Sequence, residues 1–245
     1  MKKIIGLVPA TEFHPEKSTM CDWYKVGNNY AKRVAEAGCV PISIAPVDKW
    51  VDEEALNLCD GFVVQGGDEF YPYHFQIIHH AYTHGKRYLG ICLGEQVIYY
   101  YFYLRNLLGL KEGEDGGEDA LERIWDLYYR IDNQVGEDVP PKPLKRIENH
   151  YGKPMVRGQE DDRKHDVNIV PGTIMHRVIG RDTLRAASFH YLQVPENQNL
   201  VKINAWAAHD STVVEGVEYG ENILGIQSHP EVDGLLPEIF KFIAE

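Results

Sequence analysis

The chain has no long basic run, no apolar stretch long enough to cross a membrane, and no Cys-x-x-Cys pair. Its formal net charge of −12 disfavours binding to nucleic acid and to anionic membrane surfaces. The longest apolar run, residues 97–104, is far shorter than the roughly 20 residues that a membrane-spanning helix needs. The apolar stretch at residues 4–8 is too short for a secretory signal. We therefore expect a cytoplasmic protein that binds neither nucleic acid nor membranes.

Cysteine is scarce and widely spaced, which excludes a disulfide framework and a zinc site of the usual spacing. The four cysteines are Cys21, Cys39, Cys59 and Cys92. We expect free thiols, with Cys39 and Cys59 buried as small hydrophobic side chains. His80 and His84 have a spacing that a metal could use on a helix, but no carboxylate or cysteine lies at a suitable distance along the chain. We therefore expect no metal and no cofactor.

Short apolar runs alternate with helix-like runs through the first half of the chain. This alternation predicts strands at residues 4–8, 40–45, 61–65 and 88–91, and helices at residues 29–37, 52–58, 73–83 and 95–108. Strands separated by helices of this length pair in parallel and carry helices on both faces. The sequence therefore predicts an α/β fold, a three-layer sandwich in which a central, mostly parallel sheet is flanked by helices.

The pattern becomes less regular from residue 109 to about residue 164, where glycines, acidic residues and prolines accumulate. A structureless loop of this length is unusual in a compact domain, so we expect a helix at residues 120–129 within it. The rest of the segment is expected to be either a mobile lid over the active site or a solvated acidic surface. Further strands are predicted at residues 166–170, 183–189, 201–208, 212–217 and 222–227, and a last helix at 235–244. One domain over residues 1–245 is the simplest organisation.

The sequence GICLG at residues 90–94 lies between a predicted strand and a predicted helix. This arrangement matches a nucleophile elbow with sulfur in place of oxygen, because glycines at both ends relieve the crowding of a sharp turn. Cys92 would then lie above the first turn of the helix, where free amides and the positive helix end favour a thiolate. The amide of Leu93 would lie where an oxyanion forms. Cys92 is therefore the candidate nucleophile.

His229 and Glu231 directly follow the predicted strand at residues 222–227. Residues i and i+2 of an extended stretch point the same way, which places both side chains on one side of the chain. Glu231 could hold one imidazole nitrogen and leave the other facing Cys92, as in a catalytic triad. The alternative is a His-Pro turn at the surface.

Gly66 and Gly67 directly follow the predicted strand at residues 61–65, at the same carboxyl edge of the sheet. Paired glycines allow main-chain N–H groups to approach a substrate closely. We choose Gly67 as the second oxyanion-hole donor, and a plain Gly-Gly turn is the alternative.

Taken together, these motifs resemble the class I glutamine amidotransferase-like superfamily, whose fold is flavodoxin-like. Within it, the sequence is most similar to the gamma-glutamyl-gamma-aminobutyrate hydrolase family of cysteine peptidases. The motifs that carry the resemblance are Tyr30 with AGCVP at 37–41, QGGD at 65–68 followed by Tyr71-Pro72, GICLGEQ at 90–96, SFH at 188–190 and SHPE at 228–231. Their order and spacing along nearly the whole chain are more specific than any one motif.

The resemblance implies a role for each matched residue. Cys92 would be the nucleophile, His229 the general base and acid, and Glu231 the carboxylate that orients the imidazole. Gly67 and Leu93 would supply the oxyanion-hole amides. The residues expected to contact the substrate are Gln96, His190, Gly66 and Ser188.

Three departures from the family pattern affect the expected specificity. Leu93 follows the nucleophile where these hydrolases usually carry arginine, the run His190-Tyr191-Leu192 replaces a His-His-Gln triplet, and an aromatic run at residues 99–103 replaces a Gly-Gly-Thr-Leu element. The catalytic motifs are thus intact, whereas the residues that would select the leaving amine have changed.

The resemblance implies a cysteine-dependent hydrolase that cleaves the gamma-glutamyl amide bond of small gamma-glutamyl compounds through a thioester intermediate. Assembly into a homo-oligomer stays open. One alternative is a glutaminase subunit that delivers ammonia to a partner synthetase. Another is a non-catalytic binding module on the same fold.

Overall fold

The computed structural model describes residues 1–12, 23–117, 119–147, 164–233 and 236–245. The strands are, in chain order, β1 (Ile4–Val8), β2 (Ala10–Glu12), β3 (Trp23–Lys25), β4 (Val40–Ser43), β5 (Gly61–Val64), β6 (Arg87–Ile91), β7 (Lys145–Arg146), β8 (Lys164–Ile169), β9 (Thr183–Ala187), β10 (Leu192–Gln193), β11 (Lys202–Ala207), β12 (Val214–Tyr219) and β13 (Ile223–Ile226). The helices are α1 (Asn28–Glu36), α2 (Glu53–Leu58), α3 (Pro72–Thr83), α4 (Leu93–Leu107), α5 (Ala120–Asn133), α6 (Ile174–Ile179), α7 (Pro230–Asp233) and a 3-10 helix (Pro237–Ala244).

Nine of these strands form one sheet in the order β4-β1-β5-β6-β13-β12-β11-β8-β9. The strands from β4 to β13 pair in parallel, and the strands from β13 to β9 extend the sheet in antiparallel pairs. The parallel part has the flavodoxin-like order 2-1-3-4-5. The predicted fold class, an α/β sandwich with a central sheet between helical layers, is confirmed.

Two apolar cores lie on the two faces of the sheet. One core packs α2, α3, α4 and α5 against it, and the other packs α1, α6 and the 3-10 helix. The aromatic run at residues 99–103 belongs to the first core, where Tyr101 is fully buried and Tyr99 and Tyr100 are nearly so. A fully buried side chain of this size contributes about 1.5–3 kcal/mol through removal from water. This run therefore stabilises the helix that follows Cys92.

The irregular segment contains the helix that the sequence predicts, and this helix is longer than expected. The prediction ends at residue 129, whereas α5 continues to Asn133, with Ile124, Tyr128 and Ile131 buried against α3 and α4. At the far end of the irregular segment, Arg146 in β7 pairs with Leu192 in β10. Residues 148–163 lie outside the described part of the chain, so the lid stays a prediction.

Several short elements have no counterpart in the sequence prediction. Strands β2 and β3 form a separate two-stranded sheet, and α6 lies between the strands β8 and β9. Helix α6 is only six residues long, and local signals define it: the Thr173 hydroxyl accepts from the His176 amide, and Gly180 ends the helix with a positive φ. Elements this short show no measurable hydrophobic period, which explains why periodicity misses them.

The cysteines agree with the expectation of free thiols as far as the described residues reach. Cys39 and Cys59 are free and buried, as predicted, whereas Cys21 lies outside the described residues. No helix in the described ranges has the length and apolar character to cross a membrane.

Candidate active site

Cys92 is the single residue between β6 and α4, and its backbone has the positive φ of 54°. Its amide donates to the carbonyl of Ile226 at 2.9 Å, which fixes the turn to the neighbouring strand β13. A side chain at Gly90 would collide with the backbone of Gly94, and a side chain at Gly94 would collide with the carbonyl of Val64. The flanking glycines are therefore required by the close approach of three backbones. The predicted elbow is present.

His229 and Glu231 meet at the carboxyl end of β13. The Nδ1 atom of His229 lies 2.7 Å from Oε1 of Glu231, and both side chains are largely buried. Because a carboxylate accepts, Nδ1 carries the proton and Nε2 is the nitrogen left for Cys92. Burial lowers the pKa of His229, but the charges of Glu231 and Cys92 outweigh it and raise this pKa well above its usual value. The raised pKa therefore favours the protonated form of this imidazole.

Gly66 lies close to both Cys92 and the imidazole of His229. A Cβ atom at Gly66 would be 2.8 Å from Cε1 of His229 and 3.7 Å from Sγ of Cys92. The imidazole, the thiol and the turn at residues 65–67 therefore share one small space at the carboxyl edge of the sheet. A Cβ atom at Gly67, in contrast, would have its nearest side-chain neighbours, Ala10 and Leu93, at 3.6–4.0 Å.

The two predicted oxyanion donors lie on either side of this space. Leu93 opens α4, where leading amides have no acceptor within the helix. Gly67 follows β5, the strand next to β6, and a Cβ atom at Gly67 would be 3.9 Å from Cδ1 of Leu93. Gly67 and Leu93 thus follow neighbouring strands at the carboxyl edge of the sheet, and their role as oxyanion-hole donors stays a prediction.

Tyr30 is a residue of this site that the motif reasoning did not assign to it. Its hydroxyl accepts from the amide of Gly66 at 3.2 Å, and the side chain is buried. Burial and, after it, the charge of nearby Glu231 raise the pKa of Tyr30 well above its usual value. Tyr30 thus connects the glycine turn with the carboxylate behind His229. Its place in an early motif was the only signal in the sequence.

A cavity of about 200 Å³ opens above the nucleophile. Its lining residues are Gly67, Asp68, Phe70, Cys92, Gln96, Phe189, His190, Tyr191, Leu192 and His229. Phe189 packs edge-on against the imidazole of His229, with the ring centroids 5.1 Å apart. A small ligand can therefore reach Cys92 through this cavity. The size of the cavity fits a short acyl group.

Two of the four predicted substrate-binding residues line this cavity and are held by hydrogen bonds. Gln96 donates from Nε2 to Oε1 of Gln227 at 3.1 Å. His190 contacts the carbonyl of Leu192 through Nδ1 at 2.9 Å and the carboxylate of Glu215 through Nε2 at 3.4 Å. Their orientations are thus fixed by the protein before any ligand binds.

The other two predicted substrate-binding residues do not line the cavity. Ser188 is 3% exposed and is not among the residues that line the cavity. Gly66 lies beneath Cys92 and His229 and borders a neighbouring pocket instead. Both are therefore placed to shape the site, and neither reaches the space above the sulfur.

A buried carboxyl group lies under the nucleophile. Glu95 is fully buried in the first turn of α4, and neither of its carboxyl oxygens has a hydrogen-bond partner among the described residues. Burial, then the charges of Cys92 and Glu215, raise the pKa of Glu95 well above its usual value. Burial without a hydrogen-bond partner therefore favours the neutral form of this carboxyl group. Across the described ranges, no set of three or more His, Cys, Asp or Glu residues is arranged to hold a metal ion.

One family model matches most of the chain. The model of the family Glutamine amidotransferase class-I matches residues 19–235. No curated protein matches the sequence significantly.

Solved structures share the fold at low sequence identity. The glutaminase domain of CTP synthase from Trypanosoma brucei, with acivicin bound, is 17% identical with a TM-score of 0.62 over 99% of this chain and 93% of its own. A protein described as a GMP synthase subunit from Thermoplasma acidophilum is 14% identical, with a TM-score of 0.58 over 99% of this chain and 94% of its own. A glutamine amidotransferase from Thermotoga maritima is 14% identical, with a TM-score of 0.52 over 95% and 77%. At these identities the likeness shows the fold alone.

Proposed function

The chain belongs to the class I glutamine amidotransferase family, and from this membership we propose that it is a cysteine hydrolase of small gamma-glutamyl amides. The observation that carries the proposal is the meeting of Cys92 and His229 at one cavity, with Glu231 on the far nitrogen of the imidazole. These three groups form the arrangement that acyl transfer through a thioester needs.

The proposed reaction proceeds in two steps. The thiolate of Cys92 attacks the gamma-carbonyl carbon, a C–S bond forms, and the negative charge moves to the carbonyl oxygen between the amides of Gly67 and Leu93. The C–N bond then breaks as His229 gives its proton to the leaving amine. In the second step, His229 takes a proton from water, the resulting hydroxide forms a C–O bond, and the C–S bond breaks. This step releases the gamma-carboxyl group of glutamate and restores the Cys92 thiolate beside the protonated His229.

The preference for gamma-glutamyl amides other than glutamine rests on the sequence motifs at Tyr30, QGGD and SHPE, which resemble the gamma-glutamyl-gamma-aminobutyrate hydrolase family. The changed residues Tyr191 and Leu192 line the cavity, which supports a leaving amine different from that of the family. The proposed substrate is therefore a small gamma-glutamyl compound with its own amine.

A glutaminase that delivers ammonia to a partner synthetase is the second candidate. Family membership supports it, as does the fold shared with a CTP synthase glutaminase domain and with a GMP synthase subunit. In this case glutamine is the substrate, and its turnover depends on a partner chain. A third possibility, a binding module without turnover, is disfavoured by the intact set Cys92, His229 and Glu231.

Glutamate release from a panel of gamma-glutamyl amides, glutamine included, tests the proposal. We expect release from at least one amide by the chain alone, and a fall on the order of 10⁴–10⁶ in Cys92→Ala. Cys59→Ala is the matched control, because this buried thiol is remote from the cavity. Turnover of glutamine only, and only with a partner protein, favours the glutaminase. Retained activity in Cys92→Ala overturns the mechanism.

A further inference from the structure

An aromatic groove of about 590 Å³ adjoins the cavity above Cys92. Its aromatic lining residues are Phe70, Tyr71, Tyr100, Trp125, Tyr128 and Tyr129. Asp68, Phe70 and Leu192 line both the groove and the cavity, so the two spaces meet at these side chains. A ligand that reaches the sulfur can therefore extend into the groove.

The cavity alone is too small for a complete amide with a bulky amine. Its 200 Å³ lie below the roughly 300–1,000 Å³ of typical small-molecule sites, whereas the groove lies within that range. We expect the gamma-glutamyl group to occupy the smaller space, the cavity above Cys92. Glutamine, whose leaving group is ammonia, needs nothing more, so the groove has a use only when the amine is larger.

The walls of the groove are held in place by aromatic packing. Phe70 packs on Tyr100 and Tyr128 with ring centroids 5.1 Å and 5.5 Å apart, and Trp125 stacks on Tyr128 at 5.1 Å. Phe70 comes from the turn after β5, whereas Trp125 and Tyr128 come from α5. The groove is therefore a preformed surface between the turn after β5 and α5.

The groove carries an excess of negative charge. Three carboxylates line it, from Asp68, Glu69 and Asp132, against the single cation Lys142. The ammonium of Lys142 lies 2.8 Å from Asp132, so this cation is already paired. Aromatic faces and unneutralised carboxylates together attract an organic cation, and they disfavour an anion.

We propose that this groove binds the leaving amine and selects an alkylamine that carries a second, positively charged group. The inference rests on the proposed function, because the amine enters as part of the gamma-glutamyl amide. After attack by Cys92, the free diamine would leave through the groove. An anionic amine such as 4-aminobutyrate would instead face the carboxylates of Asp68 and Glu69, which Lys142 does not pair.

Three gamma-glutamyl amides of similar length test the assignment: those of 1,4-diaminobutane, butylamine and 4-aminobutyrate. Turnover is measured with the unmodified chain, and binding is measured by calorimetry with Cys92→Ala, in which turnover is blocked. We expect the cationic amide to exceed the neutral one by about tenfold in both kcat/KM and affinity, with the anionic amide lowest. Equal values for the three amides would overturn the assignment.

Charge-removing variants locate the effect. The double variant Glu69→Gln/Asp132→Asn keeps the shape of the groove and should reduce the preference for the cationic over the neutral amide to about threefold or less. Asp126→Asn, on the exposed side of the same helix and outside the groove, is the matched control and should keep the full preference. An unchanged preference in the double variant contradicts the proposal.

The two proposals fail in different ways. If Cys92→Ala binds the cationic amide selectively but the unmodified chain hydrolyses none of the three, the proposed hydrolase activity is wrong and the groove assignment stands. If the chain hydrolyses all three amides equally, the hydrolase activity stands and the groove assignment is wrong.

Discussion

The hydroxyl oxygen of Tyr30 accepts a hydrogen bond from the backbone N–H of Gly66 at 3.2 Å. Helix α1 brings this phenol to the turn after β5, and the charge of Glu231 acts on the same hydroxyl group. One side chain thus connects the turn beneath the nucleophile with the carboxylate behind His229. Tyr30 does not line the cavity above Cys92, so we expect it to position the groups that do.

Tyr30→Phe tests this positioning role. The substitution leaves the buried amide of Gly66 without its acceptor, which costs about 1–3 kcal/mol of folding free energy. We expect kcat to fall by about tenfold with little change in KM, because Tyr30 does not line the cavity above Cys92. Steady-state kinetics and chemical unfolding measure both effects. Tyr103→Phe, a partly buried tyrosine that does not line the cavity, should retain full activity.

Gly66→Ala should lower activity in a chain that still folds. The new methyl group would lie 2.8 Å from Cε1 of His229, so the imidazole must move away from the sulfur. A displacement of about 1 Å can cost about a hundredfold in rate, and we expect a loss of that size in kcat. Circular dichroism and thermal unfolding check that the variant is folded. A folded variant with full activity would show that the imidazole position does not matter.

Glu231→Gln should shift the pH dependence of the reaction. The charge of Glu231 raises the pKa of His229 above its usual 6.5, so the imidazolium that protonates the leaving amine persists to higher pH. Removing this charge lowers the pKa, and the alkaline limb of kcat/KM should move to lower pH. Glu221→Gln, at an exposed residue that pairs with Arg177, should leave the profile unchanged. An alkaline limb of kcat/KM at the same pH in Glu231→Gln as in the unmodified chain contradicts this role of Glu231.

Glu95→Gln should raise stability at neutral pH. The pKa of Glu95 is raised in the folded chain above its usual 4.5, so the carboxyl must take up a proton on folding at any pH between these two values. The native state is therefore destabilised progressively as pH rises above 4.5, and glutamine removes this dependence. Urea unfolding at pH 4 and pH 8 should give a gain only at pH 8. Glu122→Gln, exposed on α5, should show no such gain.

The elbow and the two candidate partners of Cys92 were accessible from the sequence because each carries a local signal. Glycines at positions 90 and 94 mark a turn that tolerates no side chain, and the spacing of His229 and Glu231 puts both on one side of an extended chain. Their meeting also needs β6 and β13 to be neighbours, which they are, with Ile91 opposite Ile226. Strand order of this kind is a property of the assembled sheet.

The residues that sequence reasoning misplaced or missed depend on tertiary packing. Tyr30 is 36 positions from Gly66, and nothing in its own helix shows where its hydroxyl points. Ser188 follows a strand that ends at Ala187, two residues earlier than predicted, so its direction could not be deduced from alternation. The aromatic groove needs α5 to pack beside the turn after β5, a contact without any local pattern.

The account centres on a gamma-glutamyl thioester at Cys92. Rapid mixing with a gamma-glutamyl amide, acid quenching and mass spectrometry of the digested chain test it most directly. We predict a glutamyl adduct on the peptide that contains Cys92, formed before glutamate is released and absent in Cys92→Ala. Steady glutamate release without this adduct, or an adduct on another cysteine, would contradict the account.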